Sequence, residues 1–160
     1  MASEIKVDTI VNAGGDNDTG IDLATNDQIL LKVANATKLT MNSTGQTTIV
    51  GEGGTTTTSV QQGLVKAWNK FDGTEGSISN KDSFNVSGLT DNGTGDYTIA
   101  INNDMANDDY STTCCSSQQV HAIYNASNTL AGSVRIYILG TSESNADGQE
   151  VSVQICGDLA

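Results

Sequence analysis

From Gly20 to Val50 the chain is cut into short runs of alternating apolar and polar residues that start every eight or nine positions: GIDL (20–23), QILLKV (28–33), TKLTM (37–41) and QTTIV (46–50). An asparagine stands in every break, and no run carries an aromatic side chain. IKVDTIV (5–11) precedes them in the same style. A period of two with turn residues between the runs predicts short β-strands. Such a segment holds too little bulky apolar area to offset the entropy of ordering it as a free-standing sheet, so it needs copies of itself or a neighbouring protein to pack against.

GEGGTTTTSVQQ (51–62) reads as a Gly/Thr-rich connector and divides the chain into an N-terminal arm or stem, 1–50, and a C-terminal domain, 63–160. The domain opens on GLVKAWNKFDG (63–73), whose alternation fits a strand, followed by DSFNVSGL (82–89) as the next strand. DNGTGD (91–96) is a hairpin-loop signal leading into YTIAI (97–101). Three cleaner runs follow, QVHAIYN (119–125), SVRIYIL (133–139) and EVSVQIC (150–156). The apolar positions on both faces of SVRIYIL argue for a central strand or one covered by a neighbouring subunit. The fold class is all-β: a stem of short strands and a β-sandwich or jelly-roll-like knob. Its expected core is Trp68, Phe71, Phe84, Tyr97, Ile99, Ile101, Val134, Ile136, Val153 and Ile155.

Composition limits how far this chain stabilises itself. Asn, Thr, Ser, Gly and Asp make up 81 of its 160 residues, which favours turns and strands over helix interiors. Leu, Ile, Val and Phe number only 34, close to the fraction at which charged chains stop folding alone. There is no proline, so no ladder hydrogen bond is interrupted and edge strands lack one common protection. The formal charge is −12, and the six lysines and Arg135 are scattered, which disfavours nucleic acid and anionic membranes as partners. The opening MASEIKVDTI has neither a basic nor an apolar signal region, and no apolar run approaches a membrane span. A soluble product assembled in a cytoplasm is expected.

No motif demands a reaction, a metal or a cofactor. Asp16-Asn17-Asp18-Thr19-Gly20 with Asp27 resembles part of a calcium loop, but Gly20, Ile21 and Asp27 stand where the pattern needs Asp or Asn, Gly and Glu. Asp104, Asp108 and Asp109 form a second acidic loop. Cys114, Cys115 and Cys156 with His121 lack zinc spacing; they read as reduced thiols, with pairing of Cys156 to Cys114 or Cys115 left open. His121 has no nucleophile motif to serve and reads as a structural histidine. The glycines match no phosphate-binding loop. Trp68 and Phe71 suit sugar stacking, but core or subunit-interface roles fit aromatics better.

The opening ASEIKVDTIVN, the segments GLVKAWNKFDG and DSFNVSGLTDNGTGDYTIAI, and the ending VSVQICGDLA together resemble the fibre and decoration proteins of tailed bacteriophages, especially those of cyanobacteria and other aquatic hosts. The likeness spans most of the chain. It implies a homotrimer with an N-terminal arm or intertwined stem and a β-rich knob. Only about 50 residues precede the connector, too few for a long shaft. The function expected is therefore non-enzymatic: a capsid decoration (cement) protein on the outer surface of the virion, its arms lying on the major capsid protein and its knobs projecting outward. Ile5, Val7, Ile10, Ile21, Leu23, Ile29 and Leu31 are the expected arm or trimer contacts. The alternative is a short tail fibre whose knob recognises host-surface polysaccharide.

Overall fold

The computed structural model describes residues 6–12, 14, 18–51, 53–117 and 121–160, with the backbone alone at Tyr124. Among these residues the protein is all-β, with three antiparallel sheets, one 3₁₀ turn at Ala126–Asn128 and no α-helix. The chain divides into two compact units, 1–63 and 64–160.

The first unit is one six-stranded meander: β1 (Thr9–Val11), β2 (Gly20–Asp22), β3 (Gln28–Val33), β4 (Ala36–Asn42), β5 (Thr47–Val50) and β6 (Thr57–Ser59), side by side in chain order. Local chemistry sets its turns. Ala34 and Asn35 both have positive φ, 51° and 57°, so β3 and β4 are joined by a two-residue loop of the hand that matches strand twist. The Asn42 carboxamide oxygen accepts from the Thr44 and Gln46 N–H groups at 3.2 and 2.9 Å, closing the β4–β5 turn. Gly20 lies so close to β1 that a Cβ there would sit 2.0 Å from the Ile10 carbonyl oxygen. The expected connector 51–62 is corrected in part, because Thr57–Ser59 pairs with β5 as the sixth strand. Its threonines have the β-branched shape that a pleated edge favours, and that outweighs the flexibility signalled by the glycines.

The second unit contains β7 (Val65–Phe71), β8 (Asn80–Phe84), β9 (Val86–Gly93), β10 (Asp96–Ile101), β11 (Ser111–Ser116), β12 (His121–Tyr124), β13 (Ser133–Leu139) and β14 (Val151–Cys156). They form two sheets, ordered β11-β14-β7-β8 and β12-β13-β10-β9. The inward residues of both build one core: Ala67, Phe71, Val151, Val153 and Ile155 from the first sheet meet Tyr97, Ile99, Ile101, Val134, Ile136 and Ile138 from the second. Phe71 and Tyr97 meet edge to face across it, ring centroids 5.0 Å apart.

Trp68 and Phe84 are not in that core. Trp68 is only partly buried and Phe84 is 56% exposed. They stand opposite each other on the outer face, since Ala67, Asn69 and Phe71 take the inward positions of β7. DSFNVSGL is likewise two strands rather than one. Asn85, at φ 55°, breaks it and passes the chain from one sheet to the other, so that Phe84 faces outward while Val86 packs on the core.

Asn69 is a second exception to the apolar interior. It is 1% exposed, and neither end of its carboxamide has a hydrogen-bond partner. Burying an unpaired amide costs about 1–3 kcal/mol, so Asn69→Val is expected to stabilise the second unit, raising its melting temperature by several degrees. An unchanged or lower melting temperature would show that the amide is satisfied in solution.

The Tyr97 hydroxyl lies 2.9 Å from Asp147 Oδ1 and 3.1 Å from the Gly73 carbonyl oxygen, and the Gly95 N–H donates to the same Asp147 oxygen at 2.7 Å. Burial, then Asp147, pushes the Tyr97 phenol far above its ordinary value. Burial also raises Tyr110 to about 12 and Cys114 to about 11. Raised values in the fold mean that stability is intact while these groups are protonated in both states. It is lost as pH climbs from their ordinary values, 9.0 and 10.0, towards the raised ones. The melting temperature is expected to hold from pH 7 to about 9 and to fall above about pH 10. The tyrosinate absorbance of Tyr97 and Tyr110 should appear together with unfolding, not before it.

Candidate assembly interface

Among the described residues of the first unit, none is buried. The sheet has one layer, and its two faces differ. By strand register, Ile10, Ile21, Leu31, Leu39 and Ile49 form a continuous row across β1 to β5. Ile29 and Met41 add a second rung on the same face, and Val33 follows Leu31 by two. Six of these eight side chains, Ile10, Ile29, Leu31, Val33, Met41 and Ile49, are more than a third exposed.

The opposite face is polar by the same register, with Thr9, Asp22, Leu30, Thr40, Thr48 and Ser59 in one row. Lys32 beside it donates to the Asp22 carboxylate. That bond, followed by one from the Ala24 N–H, holds Asp22 below the usual carboxylate range. A sheet wetted on one side and apolar on the other is half of a two-layer structure.

Of the expected arm contacts, Ile10, Ile21, Ile29 and Leu31 lie on the apolar face. Val7 and Leu23 are exposed just outside the strands, and Ile5 lies outside the described residues. Val33, Leu39, Met41 and Ile49 complete the face and were not expected there; their alternation with Lys32, Lys38, Thr40 and Thr48 is the signal that marks them.

The expected core residues Phe71, Tyr97, Ile99, Ile101, Val134, Ile136, Val153 and Ile155 are all buried. Ala67, Met105, Ile138 and Val151 join them. His121 is exposed, opposite Leu139 on an outer face.

Among the described residues no three His, Cys, Asp or Glu side chains converge as metal ligands do. Asp16 and Asn17 of the calcium-like loop lie outside the described residues. The three cysteines are free. Cys114 faces inward opposite Val153. Cys115 faces outward opposite Ser152, four positions along the strand from the residue opposite Cys156. Cys156 and Cys114 thus point to opposite faces, and Cys156 and Cys115 are separated by about 13 Å of strand, beyond disulfide reach. Thiol labelling of the native chain is expected to modify exposed Cys115 first and Cys114 last, with identical mobility under reducing and non-reducing conditions. A reduction-sensitive mobility shift in the monomeric band would contradict this.

Comparison of the chain with protein-family models, with curated proteins and with solved structures found no match.

Proposed function

We propose that the protein is a non-enzymatic virion structural protein, a homotrimer that decorates the outer surface of a tailed-phage head. The observation that carries this reading is the uncovered apolar face of the first unit, a row of aliphatic side chains running across five of its six strands. Exposed contiguous apolar surface of that kind marks an interaction site. Two further copies of the same sheet, closing around a shared axis, would cover it with chemically identical surface and leave the polar faces wet. The number three comes from the resemblance of the sequence to trimeric phage fibre and decoration proteins, as does the major capsid protein as the surface bound. Among the described residues β1 and β6 are the edge strands of this sheet, and a sheet edge offers the capsid a place to add a strand.

Light scattering of the full chain is the first test, with the mass of three chains expected and a monomer at micromolar concentration counting against the reading. Imaging of virions is the second. Hundreds of copies spread over the head are expected, whereas a few dozen confined to the tail would favour the short-fibre alternative.

A further inference from the structure

We propose that the outer face of the β11-β14-β7-β8 sheet is a binding platform for a neutral glycan, centred on Trp68 and Phe84. Strand register sets Thr113, Gln154, Trp68 and Phe84 in one row across the four strands. At ~4.8 Å between strands the row is about 14 Å long, enough for a short oligosaccharide laid across the sheet. Two aromatic side chains occupy one end and two neutral polar side chains the other. Phe71 with Tyr97 in the core is the one stacked or edge-to-face ring pair among the described residues, so Trp68 and Phe84 are not paired in that way.

The chemistry of this row suits a sugar. The faces of a pyranose carry C–H groups whose hydrogens are slightly positive, and these meet the negative face of an aromatic ring. Its hydroxyls need donors and acceptors at the rim. Among the described residues the Trp68 indole N–H, the Gln154 carboxamide and the Thr113 hydroxyl make no hydrogen bond within the chain, and Gln154 and Thr113 are exposed. The row beside it is Cys115, Ser152, Lys70 and Asp82, in which Lys70 is already paired with Glu150 at 3.0 Å. A chain of net charge −12 with that lysine occupied repels anionic polysaccharide, which leaves neutral glycans.

A second protein fits less well. Phe84, part of Trp68 and nearby Val65 are the apolar groups of this face, and polar side chains surround them. That is fewer exposed large apolar side chains than the first unit presents on its apolar face. The contrast with the eight aliphatic residues of the first unit is one of kind. One surface is shaped for burial against itself, the other for a small, hydroxyl-rich ligand.

Trp68 is the only tryptophan, so its emission reports directly on the platform. The full chain is titrated with dextran, mixed-linkage β-glucan, galactomannan and N-acetylglucosamine oligomers, with alginate as the anionic comparator. At least one neutral probe is expected to shift Trp68 emission saturably. Phe84→Ala and Gln154→Ala should each weaken that binding at least tenfold, while melting temperature and native mass stay unchanged. The proposal is overturned if no neutral probe gives a saturable shift, if alginate alone does, or if Phe84→Ala leaves binding intact. It is also overturned if Phe84→Ala lowers the native mass, which would make the patch an interface between copies. Because the platform lies in the second unit, its failure leaves the assembly reading untouched, and a monomeric wild-type chain that still binds glycan would separate the two in the other direction.

Discussion

Leu31→Asp is expected to turn the proposed trimer into monomers. Leu31 sits at the middle of the apolar row, between Ile21 on β2 and Leu39 on β4. Within a single chain it is 37% exposed, so a carboxylate there would be hydrated and would cost little on its own. In the proposed trimer the same position would be enclosed by the other copies, and three carboxylates would converge without cations to meet them. An uncompensated buried charge costs about 3–5 kcal/mol, enough to weaken association by roughly 150- to 4,000-fold. Light scattering should therefore report a single-chain mass across the micromolar range. Thr40→Asp, on the polar face of the same sheet, should leave the mass unchanged. Circular dichroism and hydrogen exchange add a second readout. Among its described residues the first unit buries no side chain within one chain, so without partners its amides should exchange near the rate of an open chain while those of β7, β10, β13 and β14 stay protected. A Leu31→Asp protein that keeps its native mass would place the contact between copies elsewhere.

That contrast between the units explains what the sequence disclosed and what it concealed. The strands of residues 20–50 are legible because alternation and asparagine breaks agree at each boundary, and nothing packs on them to override local preference. The inward sets Tyr97, Ile99, Ile101 and Val134, Ile136, Ile138 are legible because their alternation agrees with the packing that buries them. Trp68 misleads because size suggests burial, while burial follows parity along the strand: Phe71 and Ala67 claim the inside of β7, and Trp68 must point out. Asn69 misleads the other way, a polar residue carried inside by the same parity. A bulge near Val65 and Lys66 then reverses the pattern, turning Val65 to the outer face opposite Cys156. Register bulges and left-handed residues leave no periodic trace, so every face assignment beyond one of them is unsafe from sequence. This is why the pairing of Trp68 with Phe84 on the surface becomes visible only once the strands are placed.

Asn85→Ala is expected to cost the second unit about 2–4 kcal/mol. Asn85 joins the two sheets at their crossing point. Its Nδ2 donates to the carbonyl oxygens of Lys66 and Asn103 at 3.0 and 3.1 Å, and its Oδ1 accepts from the backbone N–H and side-chain amide of Asn103 at 2.8 and 3.0 Å. Its own carbonyl accepts from the Asn102 N–H at 3.0 Å. One carboxamide therefore ties β7, the β8–β9 crossing and the loop after β10 together. Alanine removes all four side-chain bonds and must also hold φ at 55°, which asparagine tolerates and alanine resists by roughly 1 kcal/mol. For a unit of this size the melting temperature should drop by roughly 10–25 °C. Asn85→Gly divides the two causes, since glycine accepts the backbone angle and restores no bond. It should recover about 1 kcal/mol of the loss. Equal losses for the two variants would mean that the backbone angle carries none of the cost. A loss below about 0.5 kcal/mol for Asn85→Ala would mean that water replaces the carboxamide, that the backbone relaxes away from φ 55°, and that the two sheets are held by their apolar core alone.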